Sequence, residues 1–381
     1  MKLLHTSDWH LGRTLFQESL LADQAGLLDQ VFAAVVSHDV DALIIAGDLF
    51  DRAVPSREAV QLFDSFLARV YRETRAAIIA IAGNHDAPDR IGFNAALQDA
   101  SRVLIRGPLD SRAAPLLLKD AFGTVAISAL PYAEIFAARE AFADSAIASP
   151  ADVMAAQIAE ARATVLEGMR WVVVAHAFVV GGRTTETERP LGLMGGLETV
   201  PATVFDGACY VALGHLHRPQ AAGADHIRYS GAWMGFGFDE AGETKSMTLV
   251  ELGPDGVSQL EHLPLTHTRP LTVRTGALAE LLAAGPADRG RDHLIKAVLT
   301  DEGALLDPMG QLRSVYPNVL QVERQLRRTT TTSGAVAALD DRRDPMKLIE
   351  GFLETVRGEG PTDAERAVLE ATVAGLAAEE D

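Results

Sequence analysis

The segment Ala42-Leu43-Ile44-Ile45-Ala46-Gly47-Asp48-Leu49-Phe50-Asp51-Arg52 passes from five apolar residues directly into a polar cluster opened by glycine. A short, β-branched apolar run of this kind predicts a buried strand, which places the groups behind Gly47 in the loop at its C-terminal end. The same figure recurs along the chain. Lys2 to His5 leads into Thr6-Ser7-Asp8-Trp9-His10, and Ala77 to Ala82 leads into Gly83-Asn84-His85-Asp86. Trp171 to Ala175 leads into His176, and Tyr210 to Leu213 leads into Gly214-His215-Leu216-His217. Between these runs, Leu20 to Ser37, Arg57 to Thr74 and Ala151 to Met169 carry apolar residues at helical spacing. Such alternation predicts an α/β sandwich whose strands end at a shared edge, where loops and ligands gather in open α/β folds.

The chain has 381 residues, of which 48% are hydrophobic and 23% charged, so it can bury a sizeable core in two or three domains, and extensive disorder is excluded. Its formal charge of −18 argues, taken alone, against a simple electrostatic binder of nucleic acid, which needs a basic face. The single cysteine, Cys209, cannot form an internal disulfide and fits a reducing compartment. The opening apolar run is too short for a signal peptide, and the longest later one, Trp171 to Val180, is interrupted by His176. A cytoplasmic protein is expected.

From about Pro270 the pattern changes. Leu294 to Leu299, a helical stretch from Pro308 to Val315, and Val319 to Leu326 predict a small separate α/β domain. A polar, threonine-rich linker follows, and then two short helices. Asp344 and Pro345 suit the start of the first, whose stripe is Ile349, Phe352, Leu353 and Val356. Thr362 and Glu365 form a capping box for the second, with Leu369, Val373 and Leu376 on one face.

The polar clusters carry the chemistry. Asp8 and His10 are two apart, as are His215 and His217, so on an extended strand end each pair faces one side. Together with Asp48, Asn84 and His176 they offer carboxylate, imidazole and amide donors, a mixed set. Seven such groups exceed one tetrahedral zinc and suit two divalent ions about 3.5–4 Å apart that share a bridging carboxylate, the arrangement that clamps a phosphoryl group. Taken singly, an Asp-x-His pair reads as surface decoration and Gly83 to Asp86 as a β-turn. In this order, each behind an apolar strand, they read as one site. His5 is expected to orient a ligand loop, and Trp9, Phe50 and Phe93 to be core aromatics. The polar stretch Thr184 to Glu188, between Arg183 and Arg189, is expected to be a solvated loop.

This ordered set, Asp8-x-His10, Gly47-Asp48-x-x-Asp51-Arg52, Gly83-Asn84-His85-Asp86, His176 and Gly214-His215-x-His217, resembles the calcineurin-like binuclear metallophosphoesterases. Within them, His5-Thr6-Ser7-Asp8-Trp9-His10-Leu11-Gly12 and Ala212-Leu213-Gly214-His215-Leu216-His217-Arg218-Pro219 are similar to the bacterial SbcD nuclease family. The resemblance implies an αββα sandwich over residues 1–265, a DNA-capping domain over 270–328, a linker over 329–343, and a helical hairpin over 344–381 that binds the SbcC ATPase. It implies one metal held by Asp8, His10 and His217, another by Asn84, His176 and His215, and Asp48 between them, with Mn2+ as the ions. His85 would act on substrate with Asp51 orienting and charging it, and Arg52 would touch phosphate, although a salt bridge serves Arg52 equally well. In the capping domain Arg313, Arg324, Arg327 and Arg328 would face DNA. The implied activity is an ATP-regulated 3′ to 5′ exonuclease on double strands and an endonuclease on single strands and hairpins. The implied assembly is a homodimer within a heterotetramer, with Arg57 to Thr74 as a candidate surface. A small-molecule phosphoesterase or a silent scaffold of the same fold are the alternatives. The chain departs from the family's usual pattern at Ala175 and at Ala232 of Ser230-Gly231-Ala232.

Overall fold

A computed structural model describes residues 1–93, 95–97, 101–188, 199–325 and 345–379. Two six-stranded sheets face each other. The first runs, edge to edge, Gly256–Pro264, Ser246–Gly253, Lys2–Thr6, Ala42–Ile45, Ala77–Ile81, Val103–Arg106. The second runs Gln220–Ala222, Ala224–Tyr229, Tyr210–Gly214, Arg170–His176, Gly123–Leu130, Leu116–Asp120. In the first sheet the last four strands are mutually parallel, with Leu3 opposite Ala42 and Ile44 opposite Ile79. In the second, Arg170–His176 lies between two parallel neighbours, with Gly214 opposite His176 and Leu130 opposite Ala175.

Alternation along each strand divides its side chains between two cores. Leu3, Ala42, Ile44, Ile79 and Ile81 meet Val125, Ile127, Val172, Val174 and Ala212 between the sheets. Leu4, Leu43, Ile45 and Ile78 face the other way and bury Leu28, Val31 and Val35 of helix Leu21–Ser37 and Phe66 and Val70 of helix Arg57–Glu73. On the outer face of the second sheet, Trp171, Val173 and Val211 cover Met154 and Ile158 of helix Pro150–Ala163. Because both faces of both sheets are covered, the central strands are continuous apolar runs, as parallel strands buried on both sides must be. The arrangement is the expected αββα sandwich.

Helix Pro150–Ala163 starts at a capping box between Ser149 and Asp152 and ends at Ala163, short of the expected Met169. Antiparallel strand pairs add to the sequence-based reading, among them Leu116–Asp120 with Gly123–Leu130, and Ser246–Gly253 with Gly256–Pro264.

The chain divides into two compact units, Met1–Glu323 and Arg324–Asp381. The α/β segment expected as a separate domain therefore lies within the first unit. Its sheet, Leu271–Gly276, Leu294–Leu299 and Val319–Arg324, has its own core around Leu281, Ile295, Leu312 and Tyr316. Leu271 and Leu294, however, join the sandwich core with Trp233 and Phe236, and Arg269 pairs with Asp23 and Glu18. Of the second unit, the structure describes helices Pro345–Arg357 and Asp363–Glu379. The Thr362–Glu365 capping box is present, Arg357 grips Glu365, and Arg366 pairs with Glu350. Leu348, Phe352, Val356 and Val368 are exposed. The expected linker, Asp344, Arg189, Arg327 and Arg328 lie outside the described residues, as does the side chain of Leu376.

Candidate metal centre

Five parallel strands, three from one sheet and two from the other, end at the same edge of the sandwich. Their loops bring together all seven expected donor residues. Asp8, His10, Asp48, His176, His215 and His217 are buried, each at most 4% exposed, and Asn84 is half-buried.

The route by which Asp8 and His10 converge differs from strand alternation. Their strand ends at Thr6, and the two residues lie in left-handed backbone, φ 53° and 44°. Direction comes instead from loop pairing. Asp8 N–H donates to Gly47 O at 3.0 Å, His10 N–H to Asp48 O at 2.9 Å, and Leu11 N–H to Leu49 O at 2.9 Å. Asp48 is itself left-handed at φ 51° and His215 lies at φ 105°. Each such residue costs about 1–2 kcal/mol, a strain that packing elsewhere has to offset. Two glycines permit the approach. A Cβ on Gly47, which has φ 93°, would strike the His176 ring, and one on Gly83 would strike Asp48.

Donor atoms of Asp8, His10 and His217 lie within 4.8 Å of one another, as do those of Asp8, Asp48 and His176. Asn84 Oδ1 meets His176 Nε2 at 2.9 Å and His215 Nδ1 at 3.3 Å. Between the two groups stands Asp48 Oδ2, 3.6 Å from both His10 Nε2 and His176 Nε2. Asp48 Oδ1 accepts the His85 N–H at 2.9 Å, which fixes the carboxylate plane.

These donors fit divalent cations on the chemistry of the set. Both ring nitrogens of fully buried His10 lack a hydrogen-bond partner among the described residues, an orphaned state that a Lewis acid resolves. Burial holds His10, His176, His215 and His217 below the ordinary imidazole value, so each can offer a neutral lone pair. Burial and the neighbouring Asp48 push Asp8 the other way, toward its protonated form; a cation beside the two carboxylates reverses that preference.

His85 is buried next to Asn84, and its Nε2 is 3.9 Å from Asp48 Oδ2. Its Nδ1 donates to the backbone carbonyl of Asp51 at 2.9 Å. The Asp51 carboxylate meets Arg13 at 3.0 Å, and one of its oxygens lies within 4.8 Å of a ring nitrogen of His10 and of His85. Arg52 is 73% exposed at its side chain, 3.6 Å from Asp51 Oδ2, and open to solvent beside the site.

Several supporting residues escaped the sequence-based reading. Asp86, taken as turn-forming, is buried and accepts three backbone N–H groups, from Gly83 at 2.9 Å, Leu49 at 3.0 Å and Phe50 at 2.9 Å, tying two ligand loops together. Burial and Asp48 push its carboxyl up to about 7. Gln24, in helix Leu21–Ser37, donates to Trp9 O and His10 O and accepts the Gly12 N–H. Its only signal was a polar residue on an otherwise apolar helix face. His5, expected to orient a ligand loop, bonds strand residues instead: Tyr210 Oη at 2.9 Å and Leu213 O at 3.1 Å, joining the two sheets, and burial lowers it to about 3. Trp9 and Phe50 are core residues, but Phe93 is 74% exposed. The stretch Thr184 to Glu188 is not simply solvated, since Thr187 and Glu188 both bond His217. Ala232 is buried and donates its N–H to His217 O, so the third position of Ser230-Gly231-Ala232 acts here through backbone.

Residues 1–131 match the family model of the calcineurin-like phosphoesterases, and residues 267–357 match the type 5 capsule protein repressor C-terminal domain, SbcD_C. The second match spans the small α/β segment and the first helix of the second unit.

Proposed function

Since the chain belongs to the calcineurin-like metallophosphoesterases and is of the SbcD type, we propose that it is a DNA nuclease subunit that hydrolyses phosphodiesters at this centre and works with an SbcC ATPase in the repair of double-strand breaks and hairpins. A metal-dependent phosphoesterase is the coarser statement, and the family carries it. The observation that supports the site is the convergence of Asp8, His10, Asp48, Asn84, His176, His215 and His217 at one strand edge, with the buried His10 ring left without a hydrogen-bond partner among the described residues. Asp8, His10 and His217 are suited to hold one ion and Asn84, His176 and His215 the other, with Asp48 between. Mn2+ suits this nitrogen and oxygen set, as do iron and zinc. When bound, two such ions polarise a phosphoryl group and make water nucleophilic at neutral pH.

In this reading the chain's own residues select and orient. Asp48 and Asp86 hold the loops that carry the donors. His85, with Nδ1–H fixed on the Asp51 carbonyl, presents Nε2 to substrate as general acid or as a stabiliser of developing charge. Arg52, exposed at the rim, is free to swing from Asp51 to a phosphate oxygen. The α/β segment with Arg313 and Arg324 is assigned to duplex DNA, the terminal hairpin to SbcC, and helix Arg57–Glu73 to a homodimer contact inside a heterotetramer. The exposed Leu348, Phe352 and Val356 support the hairpin's part in this, being an apolar face on a helix too short to stand alone. ATP regulation, 3′ to 5′ polarity and hairpin opening extend the same reading.

The test is cleavage of labelled duplex, labelled hairpin and bis(p-nitrophenyl) phosphate, with and without manganese and then with SbcC and ATP. Metal-dependent cleavage of DNA, stimulated by SbcC, is expected. Turnover of the small diester with no DNA cleavage under any condition would favour a small-molecule phosphoesterase.

A further inference from the structure

His217 has three polar handles besides the nitrogen that faces Asp8 and His10, and all three are taken, two by neighbouring residues of one loop and the third by Lys245 and Ala232. Its Nδ1 lies 3.0 Å from Thr187 Oγ1. Its backbone N–H donates to Glu188 Oε1 at 2.8 Å. Its carbonyl accepts from Lys245 Nζ at 3.2 Å and from the Ala232 N–H at 3.1 Å.

None of the three is loosely placed. Thr187 and Glu188 sit in the loop after His176, which is stapled to the residues following His217. Arg183 and Gln220 exchange two bonds of 2.8 Å, Arg218 Nη1 reaches Thr184 O at 2.9 Å, and Glu188 also accepts the Thr185 N–H. Lys245 is 2% exposed and meets Glu240, also 2% exposed, at 2.5 Å. Glu240 in turn accepts the Phe236 and Gly237 N–H groups. Burying an ion pair is poor value for stability alone, because desolvation offsets most of the attraction. What Lys245 achieves here is direction: Glu240 and, at 3.4 Å, Glu243 take two of its ammonium protons, and the third is spent on the backbone of a donor residue.

The tautomer follows. With Nε2 presented to a cation, the ring proton must sit on Nδ1, where Thr187 Oγ1 accepts it. We propose that Thr187, Glu188 and Lys245 are positioning residues for His217, and through it set the affinity for the ion held with Asp8 and His10. The inference rests on the two-metal reading of the centre given above. It is selective: no bond of these three residues reaches Asn84, His176 or His215 among those described, so the other ion should be indifferent to them.

Titration of manganese into the metal-free full chain, followed by calorimetry, separates the possibilities. The wild type should bind two ions; failure to do so overturns the underlying reading of the site, and the inference with it. Thr187→Val removes the acceptor with little change of shape. It should weaken one ion about ten- to a hundredfold, leave the other unchanged and leave the metal-free melting temperature where it was. Thr187→Ser, which restores a hydroxyl, should recover the lost affinity. Lys245→Met should act on the same ion; should it fail to fold, the threonine pair decides alone. Two ions bound by Thr187→Val with wild-type affinity, both ions weakened alike alongside a lower metal-free melting temperature, or no recovery with serine would each overturn the proposal.

Discussion

Among the described residues neither ring nitrogen of the fully buried His10 has a hydrogen-bond partner. Groups left in that state cost about 1–3 kcal/mol each, so a cation that satisfies them should stabilise the whole chain. Manganese at a hundredfold excess over its dissociation constant is expected to add about 2.7 kcal/mol per site, read as a raised melting temperature that a chelator reverses. His85 touches Asp48 but belongs to neither donor cluster of the proposed pair. His85→Ala should therefore retain both ions by metal analysis while cleavage falls about 10²–10⁴-fold. Asp51→Asn keeps the backbone carbonyl that holds His85, so its loss of rate should be clearly smaller. Equal losses in the two variants would show that the carboxylate, not the carbonyl, governs the ring. The sequence made every donor residue visible, because each stands behind an apolar strand, all but His176 with glycine or a paired polar group. It hid Gln24, Asp86 and Thr187, because a glutamine on a helix, an aspartate in a turn and a threonine in a loop have common bland uses.

At the level of elements, strand Leu116–Asp120 ends on a carboxylate that receives the N-terminal ammonium at 3.0 Å and Arg170 at 2.5 Å. Burial opposes ionisation of Asp120, but Arg170, the N-terminus and the Phe122 N–H prevail and hold it well below the usual carboxylate range. Its stabilisation is thus complete above the unfolded value of about 3.9 and is lost as pH falls through the lower folded one. Asp120→Asn should cost about 1.5–3 kcal/mol at neutral pH, and the gap to wild type should close as denaturation is followed below pH 4. The core strands were legible as apolar runs and the helices as periodic ones. The closing pair Ser246–Gly253 and Gly256–Pro264 was not, since its outer strand exposes Ser258, Gln259, Glu261 and His262 and has no apolar run to mark it. Left-handed backbone at Asp8 and His10 was equally invisible: it is imposed by pairing with Gly47 to Leu49, a tertiary contact no local pattern encodes. The hairpin prediction also belongs at this scale. Removal of residues 344–381 should abolish co-purification with SbcC and leave metal binding intact; retained SbcC binding would point to the hairpin packing on its own chain.

Across the whole molecule the charge of −18 is unevenly placed, with the last 31 residues carrying eight acids and two bases. That tail is assigned to a protein partner, while two divalent ions would add four positive charges where phosphate has to sit. Acidity is then compatible with DNA as substrate, but the isolated chain should hold it weakly and lose it steeply between 50 and 200 mM salt, as fluorescence anisotropy would record. The small α/β segment read as an independent domain belongs to the same compact unit as the sandwich, because Leu271 and Leu294 complete a core that Trp233 and Phe236 leave open. The central claim remains that Asp48 joins two ions into one phosphodiester-cleaving centre. Metal analysis of wild-type and Asp48→Ala chains, purified identically with manganese, tests it most directly. Two ions per wild-type chain and loss of both from Asp48→Ala are predicted; a single ion in the wild type, or two retained without Asp48, would contradict it.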